Sequence, residues 1–282
     1  MARKHVTVAI CYDFDGTLSP GYMQNYSFIP KLGMKPSAFW AKVKVLAKDQ
    51  DGDEILIYMG QMLREADHAG VSVKRESFSN FGGTIELFDG VKDWFDRINR
   101  FGREREVSVE HYIVSSGLRE MIEGTEIAEK FKKIYASGFW YDHEGVAKFP
   151  ALGVNYTTKT QFLFRINKGV LDVWDKDKVN KYVAPKDRPV PFSNMVFLGD
   201  GDTDIPCFRL VKDLGGHSIA VYRPKAKKFG AKAVADRLLE EGRVNFSVPA
   251  NYTEGSELDK AIKAVISKVS TETELWRLGK RY

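Results

Sequence analysis

The stretch Val6-Thr7-Val8-Ala9-Ile10-Cys11-Tyr12-Asp13-Phe14-Asp15-Gly16-Thr17 decides the fold. Val6 to Tyr12 is an apolar run, the pattern of a strand covered on both faces inside a parallel sheet. It ends abruptly at two carboxylates separated by a single phenylalanine. Their repulsion at close range must be offset by a cation or a shared proton, and a divalent metal beside a phosphate would give both a purpose. Gly16 lets the backbone turn sharply toward a ligand, and the Thr17 hydroxyl can hold that turn. The plainer alternative is a strand closed by an Asx-turn, and two further segments weigh against it.

The first is Gly199-Asp200-Gly201-Asp202-Thr203-Asp204, which follows the apolar run Met195-Val196-Phe197-Leu198. Three carboxylates interleaved with small residues make a hard-oxygen site suited to Mg²⁺. An EF-hand calcium loop is excluded, because Ile205 and Val211 occupy the positions where it needs Gly and Glu. A dinucleotide fingerprint fails as well, since Asp204 stands in place of the third glycine. The second segment is Tyr112-Ile113-Val114-Ser115-Ser116-Gly117, another apolar strand ending in small polar residues. Ser115 offers a hydroxyl and the turn offers N–H groups to an anion, although a serine here also serves as an ordinary turn or cap. All three segments put their polar residues just past a predicted parallel strand, at the carboxyl edge where open α/β sheets bind ligands.

On these residues the chain resembles the haloacid dehalogenase superfamily, in its Mg²⁺-dependent phosphatase branch. The resemblance implies a Rossmann-like, doubly wound parallel α/β sheet. It implies Asp13 as the nucleophile that becomes an aspartyl-phosphate, and Asp15 as the acid and then the base. Mg²⁺ would be held by Asp13, the Asp15 backbone carbonyl, Asp200 and Asp204, and Ser115 would bind a phosphoryl oxygen. Asp202 matches a variable position and is expected to face solvent. An aspartate at position 15 favours a hydrolase over the family's pumps and its metal-free dehalogenases. The family's lysine is assigned to Lys168, because Lys168-Gly169 matches the lysine-glycine pattern and opens an expected helix from Val170 to Tyr182. Lys159, in Tyr156-Thr157-Thr158-Lys159, is the rival. A phosphotransferase or mutase could use the same residues, and a non-catalytic phospho-ligand or partner-binding module is the other alternative.

The rest of the chain agrees with an α/β core. Gly90 to Arg100 carries Val91, Trp94, Phe95 and Ile98 at helical spacing. Strands are predicted at Val109–Val114, Lys133–Trp140, Met195–Leu198 and Ser218–Val221, and a long helix over Phe162–Tyr182. Glu257–Val269 reads as an amphipathic helix, followed by a short docked helix in the Thr271–Tyr282 tail. Between the first two motifs the alternation breaks. Ile55, Met59, Met62, Leu63 and Ala66 form a helical stripe, and Phe39, Trp40, Val43 and Leu46 suggest an earlier helix. Residues 19–87 are therefore expected to be a helical cap inserted in a core made of 1–18 and 88–282. Tyr22, Gln24, Tyr26 and Arg64, in or near it, are candidates to contact a leaving group.

The 282 residues carry a formal net charge of +5, a mild excess compatible with anionic substrates. Arg223, Lys225, Lys227, Lys228 and Lys232 form a basic segment read as a solvated helix face, with no nucleic-acid motif beside it. Two cysteines, Cys11 and Cys207, give no disulfide framework and point to a reducing cytoplasm. Met1-Ala2-Arg3-Lys4 is charged like a signal start, but the apolar run after it is short and has no cleavage site, and no stretch approaches a membrane span. The expected partner is a small phosphorylated metabolite, not a nucleic acid or a membrane.

Overall fold

The structure, a computed structural model, describes residues 5–224 and 230–279. Met1 to Lys4, the Lys225, Lys227 and Lys228 part of the basic segment, and the last three residues of the tail lie outside it.

The strands are β1 (Val6–Tyr12), β2 (Val107–Leu118), β3 (Lys133–Tyr141), β4 (Ala147–Leu152), β5 (Met195–Gly199), β6 (His217–Tyr222) and β7 (Phe246–Pro249). They form one sheet in the order β4-β3-β2-β1-β5-β6-β7. Every pairing is parallel except β3 with β4, an antiparallel hairpin at one edge. Chain order reverses at β1, which pairs with β2 on one side and β5 on the other, so its carboxyl end is the switch point where such sheets bind ligands.

The helices are α1 (Phe28–Lys31), α2 (Pro36–Asp49), α3 (Glu54–Ala69), α4 (Arg75–Gly82), α5 (Val91–Arg103), α6 (Arg119–Glu123), α7 (Lys159–Lys168), α8 (Lys176–Asn180), α9 (Ile205–Asp213), α10 (Ala231–Glu240) and α11 (Glu257–Gly279). Side chains alternate along each strand, so the sheet feeds a separate apolar cluster on each face. Val8, Ile10 and Tyr12 join Val196, Leu198 and Val221 in one, together with Trp94 and Phe95 of α5 and Ile262 and Ile266 of α11. Ala9 and Cys11 join Tyr112, Val114 and Phe197 in the other, with Phe162 of α7, Phe208 of α9 and Leu238 of α10.

Between residues 23 and 82 the named elements are all helical, from a single 3₁₀ turn at Met23–Asn25 through α4, with short connections between them. Their core residues Phe28, Phe39, Met59 and Phe78 belong to the same cluster as Val8, Ile10 and Tyr12. The ring of Phe78 stacks on Phe139 of β3 at 5.4 Å, and the Ala147 N–H donates to the Val73 carbonyl at 3.0 Å. The helical segment is thus packed against both the sheet and the edge hairpin.

Two expectations are corrected. The helix read over Phe162–Tyr182 is two pieces: α7 stops at Lys168, and Gly169, at φ +70, ends it in the left-handed conformation. The tail helix is a continuation of α11 rather than a separate docked piece. β4 and β7 are additional to the strands predicted from the sequence.

Candidate active site

The site is assembled at the carboxyl ends of β1, β2 and β5. The Asp13 N–H donates to the Leu198 carbonyl at 2.9 Å, carrying the β1–β5 pairing up to the first carboxylate. Beyond it the chain turns so tightly that Gly16 has φ +78. A Cβ there would lie 2.0 Å from Asp200 Oδ2, so only glycine permits the two acidic turns to touch.

Asp13 is 6% exposed. Its Oδ1 accepts the Phe14 N–H at 2.7 Å, and its Oδ2 lies 2.9 Å from the Lys159 ammonium. Lys159, the first residue of α7, is fully buried and reaches Asp204 Oδ1 at 2.7 Å as well. Asp204 Oδ2 accepts the Asp200 N–H at 3.0 Å, which shapes the acidic loop after β5. Burial pulls the Lys159 pKa down, but Asp13 and Asp204 more than reverse this and hold it above the ordinary lysine value. The lysine is therefore a permanent buried cation between two carboxylates.

Asp13, Asp200 and Asp204 each present a carboxylate oxygen within 4.8 Å of the others. Hard oxygen donors at this spacing suit a divalent cation. Burial raises the Asp200 pKa well above the usual range, with Asp204 and Asp13 adding to it. The Asp15 side chain stands outside the trio. Its Oδ1 accepts the Met23 N–H at 2.9 Å. Burial, then the neighbouring Asp13, push its pKa well above the usual range, so it holds a proton more readily than an ordinary aspartate.

Ser115 is buried within β2, and its Oγ accepts the Gly117 N–H at 3.1 Å. It faces a cavity of about 450 Å³ shared with Asp13, Asp15 and Asp200 and walled by Tyr22, Gln24, Trp40 and Tyr58 of the helical segment. Asp202 pairs with Arg237 on the surface. Tyr26 bonds Ser19 at 3.1 Å, and Arg64 is exposed and outside the cavity lining.

Lys168 is not at this site, contrary to the expectation from the lysine-glycine pattern. It is the last residue of α7, and its Nζ donates to the carbonyls of Val179 and Lys181 at 2.6 and 3.0 Å. Lys159, one helix length away at the opposite end, is the lysine in contact with Asp13. The local signal is Asn155, whose Oδ1 accepts the N–H groups of Thr157 and Thr158 at 3.0 and 2.8 Å and so starts the helix at Lys159. Asn155 Nδ2 also donates to Asp53 Oδ2 at 2.6 Å, tying this corner to the start of α3.

A profile of haloacid dehalogenase-like hydrolases matches residues 10–209, the span from β1 through the start of α9. The chain belongs to this family. A relative in Borreliella burgdorferi, an uncharacterised protein, is 30% identical over 285 residues, with 92% of this chain and 96% of the relative covered. Among solved structures, a haloacid dehalogenase-family hydrolase from Salmonella enterica serovar Typhi has a TM-score of 0.55 at 14% identity, over 85% of this chain and 66% of that one. A substrate-bound phosphoserine phosphatase has a TM-score of 0.54 at 16% identity, over 92% of this chain and 98% of that one. At these identities the structural likeness carries the fold. As a member of the haloacid dehalogenase-like family the chain is a hydrolase.

Proposed function

We propose that this hydrolase is a Mg²⁺-dependent phosphomonoesterase of small phosphorylated metabolites, working through an aspartyl-phosphate. The observation that carries the reading is the pairing at β1: an aspartate ion-paired to a buried lysine, and two residues on, an aspartate with a raised pKa. Unequal carboxylates side by side are what a nucleophile and a general acid require.

In this reading an Asp13 oxygen attacks phosphorus and the bond to the leaving oxygen breaks. Asp15 gives its proton to that oxygen, releasing the alcohol. Asp15, now a carboxylate, takes a proton from water as the water attacks the aspartyl-phosphate, freeing inorganic phosphate and Asp13. Ser115 and Lys159 bind the phosphoryl oxygens. Mg²⁺, held by Asp13, Asp200, the Asp15 backbone carbonyl and Asp204 directly or through water, would supply positive charge opposite the transferring group. Residues 19–87 act as the cap that walls the cavity. A cavity of about 450 Å³ suits a small molecule. Both cysteines are buried and free, in keeping with a reducing cytoplasm. Among the described residues no helix is long and apolar enough to cross a membrane.

Asp13→Asn should abolish phosphate release from an aryl phosphate while leaving the circular dichroism spectrum unchanged, and a chelator should silence the unaltered protein reversibly. Substantial turnover by the variant would sink the assignment.

A further inference from the structure

One wall of the cavity has no part in phosphoryl chemistry. Gln24 follows Met23, whose N–H holds Asp15. It is 2% exposed, lines the cavity, and its Oε1 has no hydrogen-bond partner among the described residues. A buried carbonyl oxygen left unpaired is costly, and a donor on a ligand removes that cost.

The surface beside Gln24 is aromatic. Tyr22 and Trp40 have ring centroids 5.3 Å apart, and Trp40 and Tyr58 5.7 Å. Trp40 Nε1 donates to Asn25 Oδ1 and the Tyr58 hydroxyl to the Ser116 carbonyl, each at 2.9 Å. With those polar ends tied back, Trp40 and Tyr58 offer the cavity their rings, and π-faces attract cations.

Of the lining carboxylates, Asp13 is paired to Lys159, Asp202 to Arg237, and Asp53 accepts the Asn155 amide, which leaves Glu54 as the acidic side chain nearest this wall outside the catalytic centre, with Lys44 the cation among the described lining residues. Glu54, exposed at the mouth, has no ion pair among the described residues.

We propose that the substrate's leaving group is a short alkyl chain ending in a protonated amine, bound by Gln24 Oε1 and held against the Tyr22, Trp40 and Tyr58 rings beside Glu54. This rests on the phosphomonoesterase reading and names its substrate class. An apolar chain would leave the Gln24 oxygen unpaired. A hydroxyl would pair it but leave Glu54 and the π-faces unused.

The test is titration calorimetry with 2-aminoethyl phosphate, 2-hydroxyethyl phosphate and propyl phosphate, all in Mg²⁺. The amine should bind at least about tenfold more tightly than propyl phosphate, with the hydroxyl compound between them. Gln24→Leu and Glu54→Gln should each shrink that preference, and the second alters only an exposed side chain. Equal affinities in the unaltered protein, or a tighter hydroxyl compound, would overturn the inference. Phosphate release from an aryl phosphate by the same preparation separates the two readings. Release without amine preference removes the inference alone, whereas amine preference without release removes the hydrolytic reading and with it the leaving-group assignment, keeping only the amine contact at Gln24.

Discussion

Lys159 carries its charge inside the protein, between Asp13 and Asp204. Removing the ammonium would leave two carboxylates facing each other away from water, a change that typically costs about 3–5 kcal/mol. It would also remove the fixed cation opposite the transferring group, a loss of roughly 10²–10³ in turnover. Lys159→Met should therefore lower both Tm and kcat, whereas Lys168→Ala should cost about 1 kcal/mol through its two carbonyl bonds and keep kcat. Thermal melts and steady-state kinetics at saturating Mg²⁺ check both, and the opposite pattern would return the phosphate-binding role to Lys168. Asp200 makes a contrasting case. Its folded pKa lies above that of an unfolded aspartate, so between those two values the native state holds the extra proton. The group's penalty is absent in acid and grows as pH rises through that window. In chelator at neutral pH, Asp200→Asn should stabilise the protein by about 0.5–2 kcal/mol, read as a higher Tm, and the gain should vanish toward pH 4. A lower Tm at neutral pH would show that the Asp200 carboxylate is already compensated within the protein.

At the level of elements, the strands that can be read in the sequence are those buried on both faces. β1 and β5 are apolar throughout because each face feeds a different cluster. Their acidic ends stand out because charge directly after such a run is expensive to bury. β4 escaped for the opposite reason. It is an edge strand containing Pro150, with Lys148, Phe149 and Ala151 exposed, so neither apolar continuity nor strict alternation marks it. β7 has four residues and begins with the exposed Phe246. The misplaced lysine is a misread helix end. A lysine before a left-handed glycine is how a helix stops, and Lys168-Gly169 does that. The start was written in Asn155, an Asx cap that also bonds Asp53, and a contact across that separation in sequence has no local pattern. Gln24 shows the same limit. Its position could be suspected from the sequence, but an unpaired acceptor is a property of the assembled cavity.

Across the whole molecule, β1 is the hinge of the design. Its amino-acid neighbours in the sheet come from far apart in the chain: Cys11 lies opposite Tyr112 on one side and Phe197 on the other. The consequence is kinetic. Closing a long loop costs entropy that is repaid only when the distant strand docks. During synthesis β1 is made well before β5, so one of its edges stays open until β5 has emerged. The helices of 23–82 are local structures and can form early, whereas the acidic centre needs Asp13 and Asp200 side by side. Refolding from denaturant should therefore restore far-UV helical signal first and hydrolytic activity last. Stopped-flow circular dichroism paired with activity sampled at intervals checks this. Coincident recovery of both signals would mean that β1–β5 closure is as early as helix formation.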